Sequence, residues 1–122
     1  MARVLVADDS AFMRLVIKNI LTKGGHEVVA EADNGAMAMA EYDAHLPDVV
    51  TMDLTMPVMS GIEAVRAIQA KHPEAKILMC SAMGQQGMIM DAVKAGAKGF
   101  LVKPLDRVKV LEEIEQLLSV QT

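Results

Sequence analysis

With 122 residues, 52% of them hydrophobic, and a net charge of -4, the chain is long enough for one cored domain and too short for two. No apolar run approaches the ~18–20 residues that a membrane-spanning helix needs. No basic concentration points to nucleic acid, and Met1-Ala2-Arg3 leads into an apolar strand without signal-peptide architecture. The single cysteine, Cys80, excludes an internal disulfide framework and suits a reducing cytoplasm. Lying in an apolar strand, it is expected to be a small core residue.

Arg3-Val4-Leu5-Val6-Ala7 reads as a first strand with Asp8-Asp9-Ser10 at its end. Ser10 or Asp9 can cap a helix whose apolar positions Met13, Val16, Ile17, Ile20 and Leu21 recur at helical spacing, and Gly24-Gly25 ends it. His26 to Ala32 gives a second strand, and Asp33-Asn34-Gly35 a turn. Ala36 to Ala44 is helical by propensity but carries a thin apolar stripe, so it is expected to be the loosest helix.

Val49-Val50-Thr51-Met52-Asp53 is a β-branched run that stops on a carboxylate, and Pro57 prevents its continuation. An acid at the end of a buried strand loses hydration and needs compensation. Val58 to Gly61 is a loop. Ile62, Val65 and Ile68 mark one face of a third helix, stopped by His72-Pro73. Lys76 to Cys80 is a fourth strand ending at Ser81. Gln85 to Ala95 is expected to be a helix with Met88, Ile89, Ala92 and Val93 inward and Met90, Asp91 and Lys94 outward. Gly99 to Val102 is a fifth strand, ending at Lys103-Pro104. Asp106 starts a last helix carrying Leu111, Ile114, Leu117 and Leu118 inward, with Lys109, Glu112, Glu113 and Glu115 toward water. Most of the eleven methionines are expected to be adaptable core filling.

Five strands alternating with five helices predict a three-layer α/β/α domain around a parallel sheet, one domain over residues 1–122. In such sheets functional groups gather at the carboxyl ends of the strands. Here those ends carry Asp8 and Asp9, Asp53, Ser81 and Lys103, while the second strand contributes only Glu31 to Asp33 and is expected at the edge. Taken singly, the acids could be helix caps, Ser81 a turn residue and Lys103 a solvated surface lysine. Their joint placement points to a site.

Two carboxylates ~5 Å apart repel by roughly 3 kcal/mol at an effective dielectric near 20. Three acids against one ammonium leave two negative charges, the complement of one divalent cation. Oxygen-only donors fit Mg²⁺, or Mn²⁺, rather than zinc. Asp53 beside such a cation and Lys103 could attack phosphorus as a carboxylate nucleophile.

Four segments carry a family resemblance: Val6-Ala7-Asp8-Asp9-Ser10-Ala11-Phe12-Met13-Arg14, Met52-Asp53-Leu54-Thr55-Met56-Pro57, Ser81-Ala82-Met83-Gly84-Gln85-Gln86 and Lys103-Pro104. In order and across nearly the whole length, the chain closely resembles the receiver domains of two-component response regulators, and among them the free-standing regulators of chemotaxis. The resemblance implies the flavodoxin-like strand order 2-1-3-4-5. It implies that Asp53 accepts phosphate from a chemotaxis histidine kinase and that Asp9 binds Mg²⁺ directly. Asp8 would act mostly through water, and Thr55 would offer its backbone carbonyl to the metal. Ser81 matches a hydroxyl that swings toward the phosphoryl group, Lys103 the lysine that contacts it, and Lys103-Pro104 a cis bond.

Phe100 lies where the family has its switch aromatic, and Met83 where some relatives carry a polar residue that handles the hydrolytic water. Phosphorylation would shift a bistable element, read out on the fourth helix, fifth strand and fifth helix, with Met90 and Lys94 on the partner surface. The expected partners are the kinase, the flagellar motor switch protein and a phosphatase, with no nucleic acid and no membrane. The chain is expected to be a monomer that catalyses only its own phosphorylation and dephosphorylation.

Two rival readings fit less well. A Mg²⁺-dependent phosphohydrolase of the haloacid dehalogenase type needs a second acid two residues after the nucleophile, where this chain has Thr55, and has no cap insertion here. In a flavin or nucleotide module, Asp8-Asp9 would repel the phosphate. A receiver belonging to a longer regulator, a methylesterase or a transcription factor, would share this sequence. The last helix ends close to Thr122, and the expectation is therefore a free-standing chain.

Overall fold

The computed structural model describes residues 1–82 and 86–119, with only the backbone of Gln86. Strands and helices alternate as β1 (Arg3–Ala7), α1 (Ala11–Lys23), β2 (Glu27–Ala32), α2 (Gly35–His45), β3 (Val49–Asp53), α3 (Gly61–Lys71), β4 (Ile77–Ser81), α4 (Gln86–Ala95), β5 (Gly99–Val102) and α5 (Arg107–Ser119). All pairings are parallel and the strand order is β2-β1-β3-β4-β5. β2 is at the edge, as expected of the strand whose end adds only Glu31 to Asp33. The β1–β2 register slips by one residue between Val4 and Leu5, with Val29 as the extra residue on β2.

The central strands are buried on both faces, and their alternation divides the core in two. Leu5, Val50, Met52, Ile77 and Met79 meet α2, α3 and α4 through Ala38, Tyr42, Val65, Ile68 and Ala92. Val4, Val6, Val49, Leu78 and Cys80 meet α1 and α5 through Ile17, Leu21, Val110, Ile114 and Leu117. Cys80 is a core residue, and burial pushes its thiol up to about 12. α2 is held by an Asn34 cap and by Tyr42, the large buried side chain of its thin stripe.

One inward assignment differs from expectation, and one core residue adds to those expected. Val93 is 54% exposed, and α4 turns Ala92 and Ala95 inward, with Met88 and Ile89 half-buried. Met88 to Val93 is apolar at nearly every position, which leaves the phase of the helix open. Positions 88, 92 and 95 share the face against the sheet, while 90, 93 and 94 share the other. In α5, Val110 joins Ile114 and Leu117 in the core, while Leu111 and Leu118 are half-buried at its margin. The predicted start of α4 at Gln85 lies outside the described residues.

Candidate functional site

Local chemistry places each side chain at the carboxyl edge of the sheet. Ser10 ends β1's exit by capping α1, its hydroxyl accepting from the Met13 N–H at 3.2 Å. This turn leaves Asp8 buried, at 1% exposure, and Asp9 exposed. Beyond Asp53 the chain reverses tightly: the Gly61 N–H donates to the Leu54 carbonyl at 2.9 Å. A Cβ on Gly61 would collide with the Asp53 carbonyl oxygen, so the turn requires glycine. Within it Val58 has φ of 68°, and the Met59 N–H donates to the Pro57 carbonyl at 2.7 Å across it. This three-residue turn is strained for a β-branched residue. Ser60 and Glu63 close the segment with a capping box.

The sheet brings Asp8, Asp9 and Asp53 together, with one carboxylate oxygen of each inside a 4.8 Å cluster. Lys103 Nζ lies 2.8 Å from Asp8 Oδ2 and 3.6 Å from Asp53 Oδ1. The peptide before Pro104 is cis, and the Lys103 N–H donates to the Ser81 carbonyl at 2.7 Å, linking the ends of β4 and β5. Ser81 is the last residue of β4 and buried. Asp53 is 7% exposed. Burial first, then the Asp8 charge, push its carboxyl up to about 6 against the pull of Lys103, while the Thr55 backbone N–H donates to it. Burial pulls Lys103 down, but its hydrogen bond to Asp8 and the charges of Asp53 and Asp8 outweigh burial and hold it above the usual lysine range.

The acidic group therefore holds more negative charge than Lys103 offsets. Its donors are all hard oxygens, which fits a Mg²⁺ or Mn²⁺ ion and not a thiolate- or imidazole-seeking metal.

Residues 4–115 match the family model described as the response regulator receiver domain. The chain belongs to the response regulator receiver family. This receiver is 56% identical over 117 residues to the chemotaxis protein CheY of Bacillus subtilis, covering 96% of this chain and 98% of that protein. The CheX-CheY-BeF3-Mg complex from Borrelia burgdorferi superposes with a TM-score of 0.93 at 37% identity, covering 97% of this chain and 90% of that one. The response regulator domain of Thermotoga maritima CheB superposes with a TM-score of 0.91 at 36% identity, covering 98% of both chains.

Phe100 on β5 and Met90 and Lys94 on α4 lie outside the acidic cluster. Phe100 is half-buried on β5 against Met79 in the next strand. It lines an open groove of about 440 Å³ with Val102, Pro104, Leu105 and Lys109. Met90 and Lys94 are exposed on α4, beside the exposed Val93. Met83 lies outside the described residues. No sequence pattern marks Arg14 as a site residue, yet its guanidinium donates to the Asp8 carbonyl at 2.8 Å. The bond joins a helix to a strand end, and helical or strand periodicity carries no trace of it.

Proposed function

We propose that residues 1–122 form a single receiver that works as a phosphorylation-controlled switch in chemotaxis, with Asp53 as the phosphoacceptor. The observation that carries this reading is Lys103 Nζ placed between Asp8 and Asp53 at the mouth of a three-carboxylate cluster. In the transfer, an Asp53 oxygen bonds to phosphorus while the phosphorus–nitrogen bond to a kinase histidine breaks, the electron pair leaving on the imidazole nitrogen. A carboxyl group near 6 is mostly ionised at neutral pH and ready as a nucleophile. Lys103, held charged, answers the developing charge on the phosphoryl oxygens.

Asp9 and Asp53 would hold Mg²⁺ directly with the Thr55 carbonyl, and Asp8 through water. When bound, the ion offsets the crowded carboxylates and polarises phosphoryl oxygens. Ser81 turns to the phosphorylated Asp53, and Phe100 follows into the space that this movement opens. The change is read on the face carrying Met90 and Lys94, by the flagellar motor switch protein and by the kinase, with a phosphatase ending the signal. The protein acts as a cytoplasmic monomer without substrate turnover other than its own phosphate. Among the described residues no helix is long and apolar enough to cross a membrane.

Intact mass after incubation with acetyl phosphate and Mg²⁺ tests the acceptor. Wild type gains one phosphate-sized increment and Asp53→Asn none; the increment on both proteins would overturn the assignment. For the output face, Lys94→Glu weakens binding to the motor switch protein, and unchanged affinity removes Lys94 from the surface.

A further inference from the structure

Asp8 has every polar atom engaged. Its N–H donates to the Ala32 carbonyl at 3.0 Å, Oδ1 accepts from the Ser10 N–H at 2.9 Å, Oδ2 from Lys103 Nζ at 2.8 Å, and its carbonyl from Arg14 Nη1 at 2.8 Å. That last carbonyl belongs to the peptide joining Asp8 to Asp9. A peptide is planar, so fixing its oxygen fixes the direction in which the chain enters Asp9. On the far side of Asp9, the Ser10 N–H is pinned to Asp8 Oδ1. Asp9 is thus an exposed acid suspended between two immobilised peptide groups.

The guanidinium is itself aimed. Arg14 Nε donates to Glu31 Oε1 at 3.0 Å, and Lys18 Nζ holds Glu31 Oε2 at 2.8 Å. The Lys18 hydrogen bond first, with help from Arg14, holds the Glu31 carboxyl below the usual range against the effect of burial. Arg14 therefore bridges the end of the edge strand to the carbonyl between the two acids. Only a planar fork with several fixed donors can reach both at once; a lysine ammonium can serve one of them well.

We propose that Arg14 is a positioning residue for the acidic pair: by tying the Asp8–Asp9 peptide to Glu31, it sets the orientation of Asp9 and so the affinity of the cluster for a divalent cation. The inference rests on the reading of Asp8, Asp9 and Asp53 as a Mg²⁺ site. Its sign separates it from simple electrostatics. Removing a cation near a carboxylate cluster should strengthen Mg²⁺ binding through charge alone, whereas loss of positioning weakens it.

Calorimetric titration of MgCl₂ into the unphosphorylated protein reads this directly. Arg14→Ala should bind Mg²⁺ about tenfold more weakly, the low end for an outer-shell partner of a metal ligand. Arg14→Lys should recover part of that loss. Lys23→Ala, with the same charge change at the far end of α1 and no bond to Asp8, Arg14 or Glu31, should bind as tightly as wild type. Thermal melting in EDTA shows whether each variant is folded, and Arg14→Met, which keeps the length of the stem and loses the same charge, should weaken Mg²⁺ binding if Arg14→Ala does not fold. Arg14→Ala or Arg14→Met binding as tightly as wild type, while Asp9→Asn abolishes binding, would overturn the positioning role. Wild type failing to bind Mg²⁺, or binding undiminished in Asp9→Asn, would overturn the underlying metal site instead.

Discussion

The two ends of the sheet are built from the same strands and have opposite energetic character. At the amino end, polar groups are matched. His26 Nδ1 accepts the Ala2 N–H at 3.0 Å, Asp48 Oδ2 accepts the Arg3 N–H at 2.8 Å, and Arg3 Nη1 donates to the Leu46 carbonyl at 3.1 Å. At the carboxyl end, Asp8, Asp9 and Asp53 crowd together with Lys103 as the cation among them. Stability is therefore concentrated at one end, and the other keeps charge in reserve for a ligand, the usual trade at a functional site. If so, removing a matched polar group at the amino end should destabilise the protein, and removing the charge of the crowded Asp53 at the carboxyl end should stabilise it.

The largest effect is expected at His26, whose ring is buried. With Nδ1 accepting, the proton sits on Nε2, 3.8 Å from Glu115 on α5. His26→Ala leaves a cavity and an unpaired N–H on Ala2, a loss of about 2–4 kcal/mol in urea unfolding at neutral pH. His26→Gln, whose amide oxygen can accept the same N–H, should recover part of it. A loss below about 0.5 kcal/mol, the range of ordinary surface substitutions, would break the contrast between the two ends.

Asp53→Asn should act in the opposite direction. The carboxyl sits near 6 in the folded protein against an ordinary 3.8, raised by burial and Asp8. Between those values the folded state binds more protons than the unfolded one, so wild-type stability falls as pH rises from about 4 to about 6. Without metal, Asp53→Asn should therefore be more stable by on the order of 1–3 kcal/mol at pH 7.5, and the gain should vanish near pH 4. Urea unfolding in EDTA across that range checks both the size and the slope. A difference independent of pH would show that Asp53 is not strained by its neighbours.

How far this contrast could be foreseen depends on which physics wrote it. The strand ends were legible because each strand is a short apolar run that stops abruptly on Asp8, Asp53, Ser81 or Lys103, and parallel strands bring those stops to one edge. The phase of α4 was not legible. Between Met88 and Val93 hydrophobicity is almost continuous, and packing against the sheet, which turns Ala92 in and Val93 out, decided it. Val110 carries no distinguishing mark in the sequence because Leu111 beside it is equally apolar. Arg14 and His26 were illegible for a different reason. Each acts through a partner 6 to 24 residues away, and such hydrogen bonds leave no periodic mark.

Thr51 gives the smallest effect and the sharpest form of the comparison, since it concerns a neutral group. It lies two residues before Asp53 and so on the same face of β3. It is 1% exposed, and its hydroxyl has no hydrogen-bond partner among the described residues. A buried hydroxyl without a partner carries its desolvation cost uncompensated, and valine has nearly the same shape. Thr51→Val should gain about 0.5–1.5 kcal/mol in EDTA, whereas His26, equally buried and polar but hydrogen-bonded, costs stability when removed. If Thr51→Val is instead destabilising, the hydroxyl has found a buried water in solution, and the layer beneath the acids is better satisfied than its missing partner suggests. Combining it with Asp53→Asn separates these cases: two independent sources of frustration add, while a shared water beneath the carboxylate makes them fall short of the sum.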